Sequence, residues 1–258
     1  MRLVIISGDG GPGGAWLSRI LSANGFEIPY PSTAGHPRAP DGFFESQAVV
    51  DINRQALADV GGRGPDLPAF AILAALAFDR SARERCTRFL AELPHGRSIV
   101  LYDARMPWLL RSWMTAAIEL GLHPELVVTC DLADAVVAYK EALFGPNRDE
   151  RTRQLQWASA VLEGLECARE FDGIAVTGML TAGIVNSSAQ SALLRLLGDR
   201  SRHSLPPCPV TDLSTPVTSP DSVDSWYGRL YEHVARGDDA ETVWSEFWPH
   251  LLTAADYV

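Results

Sequence analysis

Five glycines fall within the seven residues Gly8-Asp9-Gly10-Gly11-Pro12-Gly13-Gly14, between a short apolar run and a helical pattern. A glycine-rich turn from strand to helix brings backbone N–H groups and a helix N-terminus to one point, which is anion-binding chemistry. The spacing admits three readings. Gly8, Gly10 and Gly13 fit G-x-G-x-x-G, the dinucleotide fingerprint, but that motif wants an acid at the end of the second strand. Residues 26–28 read as a short second strand; Glu27 lies inside it and Ser32 sits near the expected place. Gly8 and Gly13 also have the spacing of G-x-x-x-x-G-K-[ST], with Gly14 in place of the lysine and Ala15 in place of the hydroxyl. Without a cation for phosphate and a hydroxyl for a metal, NTP hydrolysis is not expected. The third reading is a tight strand-to-helix turn with no ligand.

Other polar groups follow apolar strand patterns. Tyr102, Asp103 and Arg105 come at the end of one, and Cys130 and Asp131 at the end of another. Asp103 and Arg105 read either as catalytic groups or as an ion pair tying a strand to its loop. Trp108 and Trp113 read as core or pocket wall.

These residues need elements to position them. Residues 3–7, 98–102, 125–130 and 173–177 are short, β-branched and apolar, the pattern of buried strands. Helical patterns follow at 15–23, 108–120 and 133–144, and a polar-faced one covers 149–171. Asp41 reads as the N-cap of a helix carrying Phe44, Val49, Ile52 and Leu57. A long helical stretch spans 69–93, and another helix covers 188–197. Residues 201–220, rich in Pro, Ser and Thr, read as a surface loop. Two helices close the chain over 222–236 and 239–255. Their tryptophans make an apolar face that docks on the domain or, in a second reading, forms a homodimer seam. Strands alternating with helices predict a parallel sheet covered on both faces, in one domain over 1–258. Ligands then bind at the carboxyl ends of the strands.

Composition narrows the classes. The chain has 258 residues, 47% hydrophobic and 21% charged, which is ordinary for a folded domain. A formal net charge of −10 argues against general nucleic-acid binding. No apolar run reaches membrane-spanning length, and the N-terminal run is too short for a secretory signal, so a cytoplasmic location is expected. Cys86, Cys130, Cys167 and Cys208 form no CxxC, and neither a zinc site nor disulfides are expected. Lys140 is the only lysine, so arginine supplies the rest of the positive charge.

Three further segments join the glycine loop in a shared order. Asp41-Gly42-Phe43-Phe44-Glu45 is similar to a "GFWE" segment, Tyr102-Asp103-Ala104-Arg105 to "KDPR", and the stretch from Leu126 to Val136 to "VLRHPLEVA". In this order and spacing the chain resembles the P-loop sulfotransferases over roughly its first two-thirds. The resemblance implies a three-layer P-loop-type α/β fold with a central parallel sheet flanked by helices. It also implies sulfuryl transfer from 3′-phosphoadenosine 5′-phosphosulfate. That chemistry needs backbone N–H groups on the phosphosulfate, cations on the leaving phosphate and a base for the acceptor.

Where the family's loop reads "GMHRSGTS", this chain carries Gly11 at the basic position, Pro12 for the serine, and Gly14 and Ala15 for the hydroxyls. Tyr102 replaces the "KDPR" lysine, Cys130 the arginine that clamps the 3′-phosphate, and Ala138 a serine further along. Gly8 and Gly13 persist as the cradle glycines, while Gly10 belongs to the dinucleotide-type spacing alone. Glu45, Asp103 and Arg105 persist as the catalytic candidates, although Glu45 also reads as an acid in a helix's first turn. Asp9 and Asp131 add negative charge at two strand ends. The expectation is a family member repurposed for a non-sulfating reaction or binding task on a small metabolite, with weak or no binding of the phosphosulfate donor, no other cofactor or metal, and a ligand that is neutral or cationic. Alternatives left open are an active sulfotransferase with altered donor contacts, a non-catalytic scaffold and an NAD(P)-binding Rossmann protein.

Overall fold

The computed structural model describes residues 1–32, 44–61, 79–133, 136, 137, 140, 150–177, 180–181, 184–185, 195–197, 226–236 and 238–255. Four strands, β1 (Arg2–Gly8), β2 (Ser98–Tyr102), β3 (Glu125–Cys130) and β4 (Ile174–Thr177), form an all-parallel sheet in the order β2-β1-β3-β4. β1 is therefore central, with Ile6 opposite Tyr102 on one side and Val127 on the other. A separate two-residue pairing joins β5 (Leu180–Thr181) and β6 (Ile184–Val185).

Alternation along the strands divides the core into two layers. Leu3, Ile5, Leu101 and Val128 pack into one cluster with α2 (Gln47–Asp59), α3 (Arg80–Ala91), α4 (Met106–Glu119) and α5 (Glu150–Glu170). Val4, Ile6, Val100 and Val127 pack on the other face against α1 (Pro12–Ala23) through Trp16, Leu17, Ile20 and Leu21. Both faces are covered, as near-continuous apolar parallel strands require. The closing helices α6 (Trp226–Arg236) and α7 (Ala240–Ala255) bring Leu230, Val234, Val243 and Phe247 into the larger cluster. Trp244 Nε1 donates to Glu166 Oε2 of α5 at 2.8 Å, and Arg111 of α4 pairs with Glu163, Glu166 and Glu170. Among the described residues no helix is long and apolar enough to cross a membrane.

The sequence patterns and the elements differ in places. α2 starts at Gln47 with Ser46 as its N-cap, so Phe44 lies outside it. The proposed cap Asp41 lies outside the described residues, as do Ala138, 201–220 and much of the 69–93 and 188–197 patterns. α1 begins at Pro12 because proline suits the first helical position, where its missing N–H is not needed. The expected second strand at 26–28 is a single bridge, Glu27 to Ile99.

From β1 the chain crosses to β2 on one side, then returns across β1 to β3 on the other. The connections after β1 and β3 leave in opposite directions, which makes the carboxyl ends of these two strands a topological switch point, the place where open α/β sheets bind ligands. The glycine loop and Asp131 stand at that switch point.

Candidate functional site

The glycine loop closes on the chain's own carboxylates. Asp9 Oδ1 accepts from the Gly11 N–H at 3.0 Å, and Asp9 Oδ2 from the Asp131 N–H at 2.7 Å. Asp131 Oδ2 accepts from the Gly13 N–H at 2.7 Å. Gly13 stands in the first turn of α1, whose N-cap Gly11 has no side chain with which to cap it. Asp131 thus supplies from the next strand the anion that a helix N-terminus favours. Its Oδ1 is buried and takes no hydrogen bond.

The glycines are required by these same contacts. A Cβ on Gly13 would lie 2.6 Å from Asp131 Oδ1. One on Gly11 would meet Asp131 Oδ2 at 2.5 Å and Asp9 Oδ1 at 2.9 Å, so both carboxylates approach a single point. One on Gly14 would strike the Tyr102 ring at 2.4 Å, and one on Gly8 the Thr129 hydroxyl at 2.8 Å. Gly10 combines a left-handed φ of +80° with close approach to Lys140, whose Cε and Nζ stand 2.9 Å from its missing Cβ. Lys140 Nζ donates to the Asp9 carbonyl oxygen at 3.4 Å.

Burial dominates the electrostatics. Asp9 is held well above the ordinary carboxylate range, first by desolvation and then by the charge of Asp131, against the help of the Gly11 N–H and Lys140. Burial pushes Asp131 up to about 6, opposed by the Gly13 N–H. Cys130 is raised by burial and by both aspartates, so its thiol stays neutral.

Glu45, Asp103 and Arg105 gather at the end of β2. Glu45 Oε1 accepts from the Ala104 N–H at 3.2 Å. Burial, then the charge of Asp103, raises Glu45 to about 8, while the Ala104 N–H and Arg105 oppose the shift. A carboxyl that titrates there can both give and take a proton near neutrality. The backbone beneath it is strained. Phe44, next to Glu45, has φ +56°, an outlier for a bulky residue, and its carbonyl accepts from Ser18 Oγ of α1 at 2.8 Å.

Asp103 is fully buried, and each of its oxygens is hydrogen-bonded. Its Oδ1 accepts from Arg105 Nη1 at 2.7 Å and from the Arg105 N–H at 3.2 Å. Its Oδ2 accepts from Asn53 Nδ2 at 2.8 Å, and Asn53 Oδ1 accepts from Trp113 Nε1, also at 2.8 Å. The ion pair ties strand to loop, and both Asp103 oxygens already accept hydrogen bonds from the chain.

Sequence reasoning missed Asn53, Trp113 as a donor, and Lys140. Only Lys140 carried a signal, as the sole lysine on the helical segment after β3. Among the described residues no three His, Cys, Asp or Glu side chains gather as a metal site, and Cys86, Cys130 and Cys167 are free thiols. Comparison with protein-family models, with curated proteins and with solved structures finds no match to this chain.

Proposed function

We propose that this chain handles a neutral or cationic small molecule at the carboxyl ends of β1, β2 and β3, with Glu45 as its proton-transferring group. One observation carries this reading: the loop N–H groups of Gly11 and Gly13, which an anion would need, are bonded to Asp9 and Asp131. A phosphate brought to that point would have to displace two carboxylates from buried hydrogen bonds, and any ionised carboxylate left behind repels it in a poorly solvated setting. The P-loop sulfotransferase resemblance is kept as a reading of the fold, with its donor site closed by substitution. Tyr102 and the buried Cys130 stand where that family would bring cations.

The residues present do not fit a multiply anionic donor, so no step of the reaction is derived through 3′-phosphoadenosine 5′-phosphosulfate. Glu45 in its protonated form donates to a ligand oxygen or nitrogen, and in its ionised form it accepts a proton from a hydroxyl or ammonium. Asp103 acts through Arg105 as a positioning residue. A non-catalytic binding role uses the same site without the proton transfer.

Calorimetry with 3′-phosphoadenosine 5′-phosphate tests the reading. No heat at sub-millimolar concentration is expected. Micromolar affinity would mean that Arg105 or Arg19 clamps the donor, and the active sulfotransferase reading would replace this one. Mass spectrometry of ligands that co-purify with the chain identifies the molecule bound and separates an enzyme from a scaffold.

A further inference from the structure

A concave site lies along the edge of β2, and no residue of the glycine loop lines it. Its volume is about 810 Å³, within the range of small-molecule pockets. The segment after α1 forms one wall and is pinned at both ends. Glu27 bridges to Ile99 through its own N–H and carbonyl, and the Gln47 N–H at the start of α2 donates to the Pro31 carbonyl at 2.8 Å. Phe26, Ile28, Phe44, Phe89, Leu93 and Ile99 make the interior apolar.

The charged side chains among its lining residues are of one sign, and arginines already cover two of its rings from outside the lining, Arg2 over Phe26 and Arg19 over Phe44. Glu27 and Glu92 line it, and no Lys, Arg or His does so among the described residues. Glu27 already pairs with Arg97. Glu92, exposed on the turn that ends α3, forms no ion pair among the described residues. Tyr30 stands at the rim with 92% of its surface exposed. A carboxylate beside aromatic rings is the environment that recognises an ammonium carried on an apolar body.

The geometry points to this pocket as a binding site for an amphiphilic ammonium compound, its ring or chain seated on Phe26, Phe89 and Leu93 and its cation at Glu92 and Tyr30. The site goes beyond the strand-end reading and does not use Glu45, Asp9 or Asp131.

The test is calorimetry of the full chain with phenethylammonium, with 3-phenylpropionate as the sign-reversed control and amide chemical-shift mapping to locate the site. The cation binds and shifts the amides of Tyr30, Glu92, Leu93 and Ile99, whereas the anion does not. Glu92→Gln, at an exposed position that leaves the fold intact, weakens the cation about three- to fivefold, as loss of one solvated ion pair should. Tyr30→Ala weakens it by a similar factor, and Glu45→Gln leaves it unchanged. Equal binding of the anion, no binding of the cation at millimolar concentration, or affinity unchanged in both Glu92→Gln and Tyr30→Ala overturns the proposal. Loss in Glu45→Gln alone moves the cation to the strand ends, which overturns this site while leaving the strand-end reading standing.

Discussion

Glu45→Gln should make the protein's stability less sensitive to pH, and the direction follows from burial. The Glu45 carboxyl is raised from 4.5 to about 8 in the folded chain. The folded state therefore holds this proton where the unfolded state has released it. The stabilisation is fully present below pH 4.5 and is lost as pH rises through about 8. A shift of this size corresponds to a ceiling of about 5 kcal/mol at 1.36 kcal/mol per unit. Glu45 is only half-buried, and both Arg105 and the Ala104 N–H favour the ionised form, so a loss of about 1–3 kcal/mol is expected between pH 5 and 9. Glutamine keeps an acceptor for the Ala104 N–H but has no proton to lose. Asp9 and Asp131 drift in the same direction and remain in the variant, so the difference between the two proteins isolates Glu45. Urea denaturation midpoints at pH 5 and pH 9 measure that difference, and a ¹³C carboxyl titration reads the group directly. Parallel pH profiles for the two proteins, or titration of Glu45 near 4.5, would refute the reasoning.

Asp131→Ala leaves the Gly13 N–H unsatisfied beside a carboxylate-sized hole and should cost about 1–3 kcal/mol. Added formate should raise the melting temperature of that variant and leave the wild type unmoved, as read by differential scanning calorimetry. Gly14→Ala places a methyl 2.4 Å from the Tyr102 ring and should destabilise by about 1–3 kcal/mol, with part recovered in the Gly14→Ala/Tyr102→Leu double variant. Asn53→Leu strips a partner from the buried Asp103 carboxylate and from Trp113 Nε1 at once. A loss of about 3–5 kcal/mol in chemical denaturation is expected, in line with breaking a buried charged network.

The strands were legible because burial on both faces writes itself into composition. Residues 3–7, 98–102 and 125–130 each hold an unbroken apolar core, Leu3–Ile6, Ile99–Leu101 and Leu126–Val128, and each segment is a parallel strand within a residue of its expected limits. The turn chemistry around Pro12 and the glycines likewise marked the start of α1. Phe44 was misplaced because helical periodicity ran through it, while a tertiary bond to Ser18 holds it in a left-handed conformation that no propensity favours.

From the sequence alone came five glycines that let the backbone approach something closely, and acids at the ends of three strands, Asp9, Asp103 and Asp131. What the glycines approach was decided by tertiary structure. Gly13 and Asp131 are 118 residues apart, and they meet only because β1 and β3 lie side by side in register, Gly8 opposite Thr129. That register turns a loop suited to an external anion into one capped by an internal carboxylate. The same packing gave Asp103 its distant partners Asn53 and Trp113. A hydrogen bond between remote residues depends on positions fixed by the whole core, and the local pattern of either partner carries no trace of it.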